Sequence, residues 1–165
     1  MIEILEIADA CGIKMVEDMA EKIWTEHYTP IIGKPQVDYM LSRFQSARAI
    51  REQINEGYRY FIAVGDGREL GYFCIMPRET ENSMFISKVY VDSEFRGLGI
   101  ARAMIGHVEE ICRRWDLDTM YLTVNKNNTR SIAAYEKMGF YNAGSIVQDI
   151  GGGFVMDDYK MVKSL

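Results

Sequence analysis

The chain has 165 residues, of which 48% are hydrophobic and 26% are charged, so it is long enough for one globular domain spanning residues 1–165. Its net charge of −5 argues against a nucleic-acid-binding surface, no apolar run approaches the ~20 residues of a membrane span, and its acidic first residues do not resemble a secretory signal. We therefore expect a cytoplasmic protein with neither nucleic-acid nor membrane partners, and its three scattered cysteines and two histidines argue against a disulfide framework or a metal site.

The first third of the chain is predicted to be mostly helical. Isoleucines that alternate with glutamates within residues 1–7 indicate a short first strand. Apolar residues at helical spacing then predict an amphipathic helix that ends near Trp24. A second helical stretch follows Pro35, and it is bent or broken before it stops at about Gly57.

The middle of the chain is predicted to form strands and then a long helix. Aromatic and β-branched residues at 58–64 and apolar residues at 70–76 predict a hairpin, and residues 84–91 predict a further strand. A glycine-bearing turn at residues 96–99 leads directly into an amphipathic helix. Its predicted apolar stripe comprises Ile100, Met104, Val108, Ile111, Cys112 and Trp115.

The last third is predicted to contain a strand at residues 119–124, a short helix at 129–138 and a closing pair of strands at 140–150 and 154–162. The whole order is then a strand, two or three helices, three strands, a helix, a strand, a helix and two strands. This order predicts an α/β layer with a mixed sheet, because a doubly wound fold would alternate strands and helices regularly.

The turn before the long helix is suited to binding phosphate. Its glycines allow the backbone to approach a ligand, and the first N–H groups of the helix have no internal partners. Arg96 adds a fixed positive charge. The segment lacks the G-x-x-x-x-G-K-[ST] pattern of a P-loop, and Arg102 stands where a dinucleotide-binding fingerprint needs a small residue.

Two motifs in this region resemble the GNAT superfamily of N-acetyltransferases. The run Arg96-x-x-Gly99-x-Ala101 matches the R/Q-x-x-G-x-G/A motif of that family, and residues 128–140 resemble its N-x-x-A-x-x-x-Y-x-x-x-G-F segment, with Ser131 in place of alanine. The resemblance is specific over residues 84–140. It implies the GNAT acyl-CoA N-acyltransferase fold, a mixed central sheet with helices on both faces, and acetyl-CoA as co-substrate.

The resemblance also implies which residues hold the co-substrate. The family binds the pantetheine arm along its fourth strand and wraps the pyrophosphate in the loop that follows, and coenzyme A enters a gap where the next strand splays away. The corresponding residues here are Val89, Tyr90 and Val91 on the strand and Arg96, Gly97, Leu98, Gly99, Ile100, Ala101 and Arg102 in the loop and helix start. Asn128 is expected to reach the cofactor, to cap the following helix, or both.

Acetyl transfer in such a family proceeds by direct attack of the amine on the thioester, so an acid and a base are needed. Tyr135 matches the family's tyrosine, which lies over the sulfur, so the resemblance assigns it to co-substrate binding as well. It is our candidate to protonate the leaving thiolate, the alternative being a packing role. The base stays open. Its candidates are Glu26, His27, Glu94 and either Asp157 or Asp158, which point to opposite faces of the last strand.

The sequence leaves the acceptor open. A small primary amine such as a polyamine is the first hypothesis; acetylation of a protein or peptide N-terminus, and a catalytically silent acyl-CoA-binding module, are the alternatives. The link between the first two helices, with Glu26, Tyr28 and Tyr39, is expected to line the acceptor pocket, ordinary packing and surface roles being equally open. The apolar final strand is a candidate homodimer interface.

Overall fold

The computed structural model describes residues 1–165 and is built on one seven-stranded sheet with the strand order β1-β2-β3-β4-β5-β7-β6. The strands are β1 (Glu3–Ile7), β2 (Arg59–Gly65), β3 (Arg68–Arg78), β4 (Ser83–Val91), β5 (Thr119–Asn125), β6 (Tyr141–Gly151) and β7 (Phe154–Ser164). The helices are α1 (Ala10–Ile32), α2 (Lys34–Phe44), α3 (Ala47–Asn55), α4 (Ile100–Arg114) and α5 (Thr129–Lys137). No helix has both the length and the apolar character needed to cross a bilayer.

The sheet is mixed and carries helices on both faces, as predicted. The pair β4–β5 is parallel and all other neighbours are antiparallel. Along β3, Tyr72 and Cys74 pack with α1 and α2 on one face, whereas Phe73 and Ile75 pack with α4 and α5 on the other. Burial on both faces explains why β3 is a continuous apolar run rather than an alternating one.

The N-terminal helices differ from the prediction in their boundaries. The helix expected to end near Trp24 continues to Ile32, so that prediction is wrong. The extra turns are stabilised by tertiary packing, because Trp24 stacks on Tyr28 with 4.3 Å between ring centroids and carries the buried face of the helix further. Pro30 lies inside the last turn, and Gly33, with φ of 85°, ends the helix.

The second predicted helical stretch is broken into α2 and α3. Ser46 begins α3, since its hydroxyl accepts a hydrogen bond from the N–H of Ala49 at 3.2 Å. Gln45, at the break, is buried, and its side-chain oxygen accepts a hydrogen bond from the Tyr72 hydroxyl at 3.0 Å.

Trp115 lies just beyond the last residue of α4, and its side chain is 44% exposed. The prediction that it belongs to the apolar stripe of that helix is therefore wrong.

A gap opens in the sheet between β4 and β5. The two strands are paired at residues 83–85 and 119–121 alone. Beyond that point β4 stays paired with β3 as far as Val91, and β5 stays paired with β7 as far as Asn125. The parallel strands therefore diverge toward their C-terminal ends, where ligands of α/β sheets bind.

Candidate active site

The gap between β4 and β5 leads into a cavity of about 530 Å³. The loop before α4 and the helices α1, α2 and α5 line it together with β4, β5 and β7. Of the twelve residues that the sequence assigns to co-substrate binding, eleven line this cavity. The exception is Leu98, whose side chain is 66% exposed and points away from it.

The loop end of the cavity is an open cradle of backbone donors. Gly97 and Gly99 have φ of 80° and 78°, a conformation that favours glycine, and a Cβ added to either would meet no atom within 4 Å. The first backbone hydrogen bond of α4 runs from Ala103 N–H to Gly99 C=O, so the N–H groups of residues 100–102 have no partner within the helix. These donors, at the positive end of the helix dipole, suit an anion such as pyrophosphate.

Basic side chains surround this cradle without acidic partners. Arg96, Arg102, Arg130 and Lys137 all line the cavity, and none of them forms a salt bridge within the protein. In a chain with a net charge of −5, four unpaired cations in one place form a local positive field. This end of the cavity is therefore built for a polyanion.

Strand β4 has a bulge beside the cavity. Cys74 of β3 is opposite Lys88 and Ile75 is opposite Ile86, so Ser87 has no partner in β3. Since β5 has already diverged, the edge of β4 that faces the gap carries backbone groups without a strand partner. One of these N–H groups near Val89 is available to stabilise negative charge on a carbonyl oxygen.

Lys88 leaves the bulge toward the helices and is held there. Its ammonium donates hydrogen bonds to the Phe44 carbonyl at 2.6 Å, to Gln53 Oε1 at 3.0 Å and to the Tyr60 hydroxyl. Burial lowers the pKa of Lys88 to about 8. Because three acceptors take its three protons, Lys88 ties β4 to the junction of α2 and α3 and has no N–H left for a ligand.

Tyr135 lies at the centre of the cavity. It is buried against Phe140, with 5.7 Å between ring centroids, and its hydroxyl forms no hydrogen bond within the protein. Burial, with a smaller contribution from the nearby Tyr28, raises the pKa of Tyr135 above its usual value. A phenol with a raised pKa stays protonated at neutral pH and can therefore act as a proton donor.

Asn128 holds α5 to α1 rather than capping its own helix. It occupies the N-cap position, but its side chain accepts no bond from the helix, so the capping role expected for the side chain is wrong. Its amide nitrogen donates to the Tyr28 hydroxyl at 3.3 Å, and its oxygen is 3.3 Å from His27 Nε2. Burial, and then the nearby Arg96 guanidinium, lowers the pKa of His27, which favours the neutral imidazole.

The structure separates the candidate bases. Glu26 and Glu94 lie outside the cavity, where they bond to Ser93 and Arg68 respectively. Asp157 points outward and forms an ion pair with Lys126 at 2.8 Å.

Asp158, on the opposite face of β7, is 1% exposed and lines the cavity. Its Oδ1 atom is buried without a hydrogen-bond partner. Burial, with a smaller contribution from Asp157, raises the pKa of Asp158 to about 6. His27 also lines the cavity, so these two candidates alone are brought to it.

The wall of the cavity formed by α1 and β4 is aromatic. Besides its stacking on Tyr28, Trp24 meets Tyr90 edge-on at 5.4 Å, and Tyr90 and Tyr28 are 6.2 Å apart. Burial raises the pKa of Tyr28 to about 12, although the bond from Asn128 acts in the opposite direction. Of the three residues expected to shape the acceptor pocket, Tyr28 lines it, whereas Glu26 and Tyr39 do not.

The β6–β7 hairpin is fastened to α2 beside the cavity. The Tyr39 hydroxyl donates to the Ile150 carbonyl at 2.7 Å, and Gln36 Nε2 donates to the Val155 carbonyl at 3.1 Å. A Cβ on Gly152 would be 2.8 Å from the Tyr39 ring, so glycine is required for this approach. Gln36 and Met156 line the cavity through this contact. Sequence patterns did not single them out, because the contact joins segments more than a hundred residues apart.

Comparison with known proteins gives four findings. The sequence model of the acetyltransferase (GNAT) family matches residues 16–140. An uncharacterized N-acetyltransferase of Mycobacterium bovis is 31% identical over 137 residues, which cover 82% of this chain and 86% of that protein. The N-acetylaspartate synthetase of Rattus norvegicus is 29% identical over 89 residues, covering 54% of this chain and 30% of that enzyme.

The crystal structure of the PaiA N-acetyltransferase of Thermoplasma acidophilum in complex with coenzyme A has the same fold. The comparison covers 100% of this chain and 99% of that one, with a TM-score of 0.82 and 18% sequence identity.

Proposed function

Because the chain belongs to the acetyltransferase (GNAT) family, we propose that it transfers the acetyl group of acetyl-CoA to the primary amine of a small cationic molecule, with a polyamine as the first candidate. The predictions of an N-acetyltransferase and of acetyl-CoA as the acetyl donor agree with that membership. The observation that carries the proposal is a single cavity that combines a cationic loop with a buried carboxylate and aromatic side chains.

The cationic end fits the diphosphate of coenzyme A. The N–H groups of residues 100–102 and the open space at Gly97 and Gly99 would hold the pyrophosphate, and Arg96 and Arg102 would offset its charge. The unpaired edge of β4 beyond the bulge would run beside the pantetheine arm. Acetyl-CoA supplies an activated thioester at this point, and the protein supplies position and proton transfer.

Tyr135 would supply the proton that the sulfur needs as it leaves. An ordinary thiol has a pKa near ~8.5, so a phenol with a higher pKa gives up its proton only as negative charge develops on sulfur. The unpartnered hydroxyl of Tyr135 and its place in the middle of the cavity support this role. Its raised pKa keeps the proton in place until the amine attacks.

The contact between the β6–β7 hairpin and α2 favours a small molecule over a protein N-terminus. The bonds from Tyr39 and Gln36 join the hairpin to α2 beside the cavity, which Gln36 and Met156 line. A peptide acceptor would require both contacts to open. A slim alkyl amine fits the aromatic space beneath them without any such change.

We expect the hairpin contact to control amine binding, and Gly152→Ala tests this. The added methyl group meets the Tyr39 ring at 2.8 Å and displaces the hairpin. We expect the KM for the amine to rise about tenfold, equivalent to ~1.4 kcal/mol, with the KM for acetyl-CoA unchanged. Gly153→Ala is the matched control, because Gly153 also has a positive φ but has open space around it. Equal effects of the two substitutions would mean that backbone strain, not the contact, is responsible.

The direct test of the function is release of free thiol from acetyl-CoA in the presence of polyamines, amino sugars, amino acids and short peptides. We expect release with one class of small amine. Release with peptides alone would overturn the small-molecule acceptor, and tight acetyl-CoA binding without release from any amine would indicate a silent binding module. The cytoplasmic location and the homodimer stay predictions.

A further inference from the structure

Asp158 is a buried acid that has no counter-ion of its own. Most buried carboxylates are paired with a cation or accept several hydrogen bonds, because an unpaired buried charge is costly. Asp158 is 1% exposed, and its Oδ1 atom has no partner. The neighbouring Asp157 takes the nearby Lys126 as its own ion-pair partner at 2.8 Å. A carboxylate left in this state at the wall of a cavity is suited to a cation that arrives with the substrate.

The surroundings of Asp158 are suited to the same kind of ligand. Tyr28 of α1 and Tyr90 of β4 both lie close enough to interact with its charge, and Trp24 packs against both rings. Aromatic rings attract ammonium groups and provide no competing hydrogen-bonded counter-ion. An alkylammonium ion placed here would have a carboxylate on one side and aromatic rings on the other.

The immediate surroundings of Asp158 also lack a free cation. Lys126, the basic side chain that acts on its pKa, is ion-paired with Asp157, and the three protons of Lys88 are taken by Phe44, Gln53 and Tyr60. Of the unpaired basic residues of the cavity, Arg96 and Arg130 act on the pKa of His27 and Arg96 acts on that of Tyr28, but none of them acts on that of Asp158. A substrate carboxylate placed beside Asp158 would therefore be desolvated without a counter-ion and would face a like charge.

We propose, on the basis of the function above, that the Asp158 carboxylate binds the ammonium group of the acceptor and takes its proton, and that the acceptor is an amine without a carboxylate. The step balances as follows. The ammonium gives one proton to Asp158, and the freed lone pair forms the N–C bond to the acetyl carbon as the C–S bond breaks. The nitrogen loses two protons in total. Asp158 passes the first to solvent, and the second, released through solvent as the amide forms, returns to Tyr135 in place of the proton that the phenol gives to sulfur.

The charge balance at Asp158 agrees with this role. Burial and then Asp157 raise its pKa to about 6, whereas the hydrogen bond from the Thr123 hydroxyl and then Lys126 act in the opposite direction. The carboxylate is therefore ionised at neutral pH yet more basic than an ordinary aspartate. Tyr28 and Tyr90, the other titratable groups that face it, stay neutral there because burial raises their pKa values.

Asp158→Asn tests the proposal through the pH profile of kcat/KM. If the wild type binds the ammonium with ionised Asp158, its profile rises to pH ~6, stays level, and falls near the pKa of the amine at ~10. The variant has to bind the rare neutral amine, so we expect kcat/KM about 100-fold lower at pH 7 and rising with pH toward 10. Asp157→Asn is the matched control on the opposite face of the strand. We expect it to keep the wild-type plateau and the fall near pH ~10, with only the acidic limb moved to lower pH, because Asp157 no longer raises the pKa of Asp158.

Two further measurements, of unfolding temperature and of stability against pH, test the proposal without relying on turnover. Cadaverine, with coenzyme A present, should raise the unfolding temperature of the wild type and not that of Asp158→Asn, and lysine, which is cadaverine with a carboxylate, should raise neither. Asp158→Asn should also be more stable than the wild type at pH 7.5 and equally stable at pH 4. The pKa of Asp158 is about 6 in the folded protein, above the value in the unfolded chain, so the wild type loses stability as the pH rises from about 4 to about 6. Asparagine does not titrate, so the variant has no such loss.

The outcomes separate this inference from the proposed function. Absence of amine-dependent thiol release in the wild type would contradict the function, and the cadaverine shift would then still decide whether Asp158 binds a cation. Normal turnover in Asp158→Asn with an unchanged pH profile would overturn the role of Asp158 while leaving the function intact. Equal acceptance of lysine and cadaverine would overturn the exclusion of carboxylates.

Discussion

Gly99→Glu is expected to abolish acetyl-CoA binding while leaving the protein folded. Gly99 begins α4 with φ of 78°, and a side chain there would project into the open space in front of the first helical N–H groups. Glutamate would fill that space and place a negative charge where the diphosphate is proposed to lie. The glutamate side chain would block the backbone donors and repel the diphosphate. We therefore expect coenzyme A binding to weaken at least about a thousandfold, or ~4 kcal/mol. Calorimetric titration with coenzyme A measures the effect directly.

The control for this substitution is Gly67→Glu. Gly67 lies in the β2–β3 turn with φ of 74°, and a Cβ there also meets nothing within 4 Å, so the backbone strain and the added charge are matched. Gly67 is not part of the cavity. We expect Gly67→Glu to lose about 1–2 kcal/mol of stability from the left-handed backbone, as Gly99→Glu should, and to bind coenzyme A normally. Normal affinity in Gly99→Glu would remove the loop from the proposed diphosphate site.

Tyr135→Phe is expected to lower kcat by about 10²–10⁴-fold, the usual cost of removing a positioned general acid. The change deletes one hydroxyl that has no hydrogen bond within the protein and leaves the ring packed against Phe140. Folding should therefore be unaffected, and the affinity for coenzyme A should change little. Steady-state kinetics with the best amine of the panel, together with calorimetric titration of coenzyme A, measure both quantities.

The matched substitution for Tyr135→Phe is Tyr121→Phe. Tyr121 is on β5, where its ring stacks on Phe85 outside the cavity, so removal of its hydroxyl should leave kcat unchanged. If Tyr135→Phe also left kcat unchanged, Tyr135 would be a packing residue and the sulfur would take its proton from solvent. A fall in coenzyme A affinity equal to the fall in kcat would instead assign the hydroxyl to binding.

Local features of the chain were sufficient for the fold class and for the loop of the site. The turn that holds Gly97 and Gly99, the helix that begins at Ile100, and the strand ending at Val91 were all predictable, because turn chemistry and apolar periodicity act over a few residues. The family resemblance of residues 84–140 rests on the same segments. The end of α1 was not predictable, because Trp24 and Tyr28 continue the helix through contacts with Tyr90 on a distant strand.

By itself, then, the sequence determined the mixed α/β fold, the acetyltransferase family and the residues from Val89 to Arg102 that approach the cavity. The tertiary structure alone decided that His27 and Asp158 are the candidate bases that line the cavity. Asp157 and Asp158 are equivalent in a local pattern, but Asp157 pairs with Lys126 whereas Asp158 lines the cavity. The tertiary structure also decided that Asn128 bonds to α1 and that the β6–β7 hairpin closes over α2. The physical reason is that burial and pairing of a charge depend on what packs against it from elsewhere in the chain, which no local pattern contains.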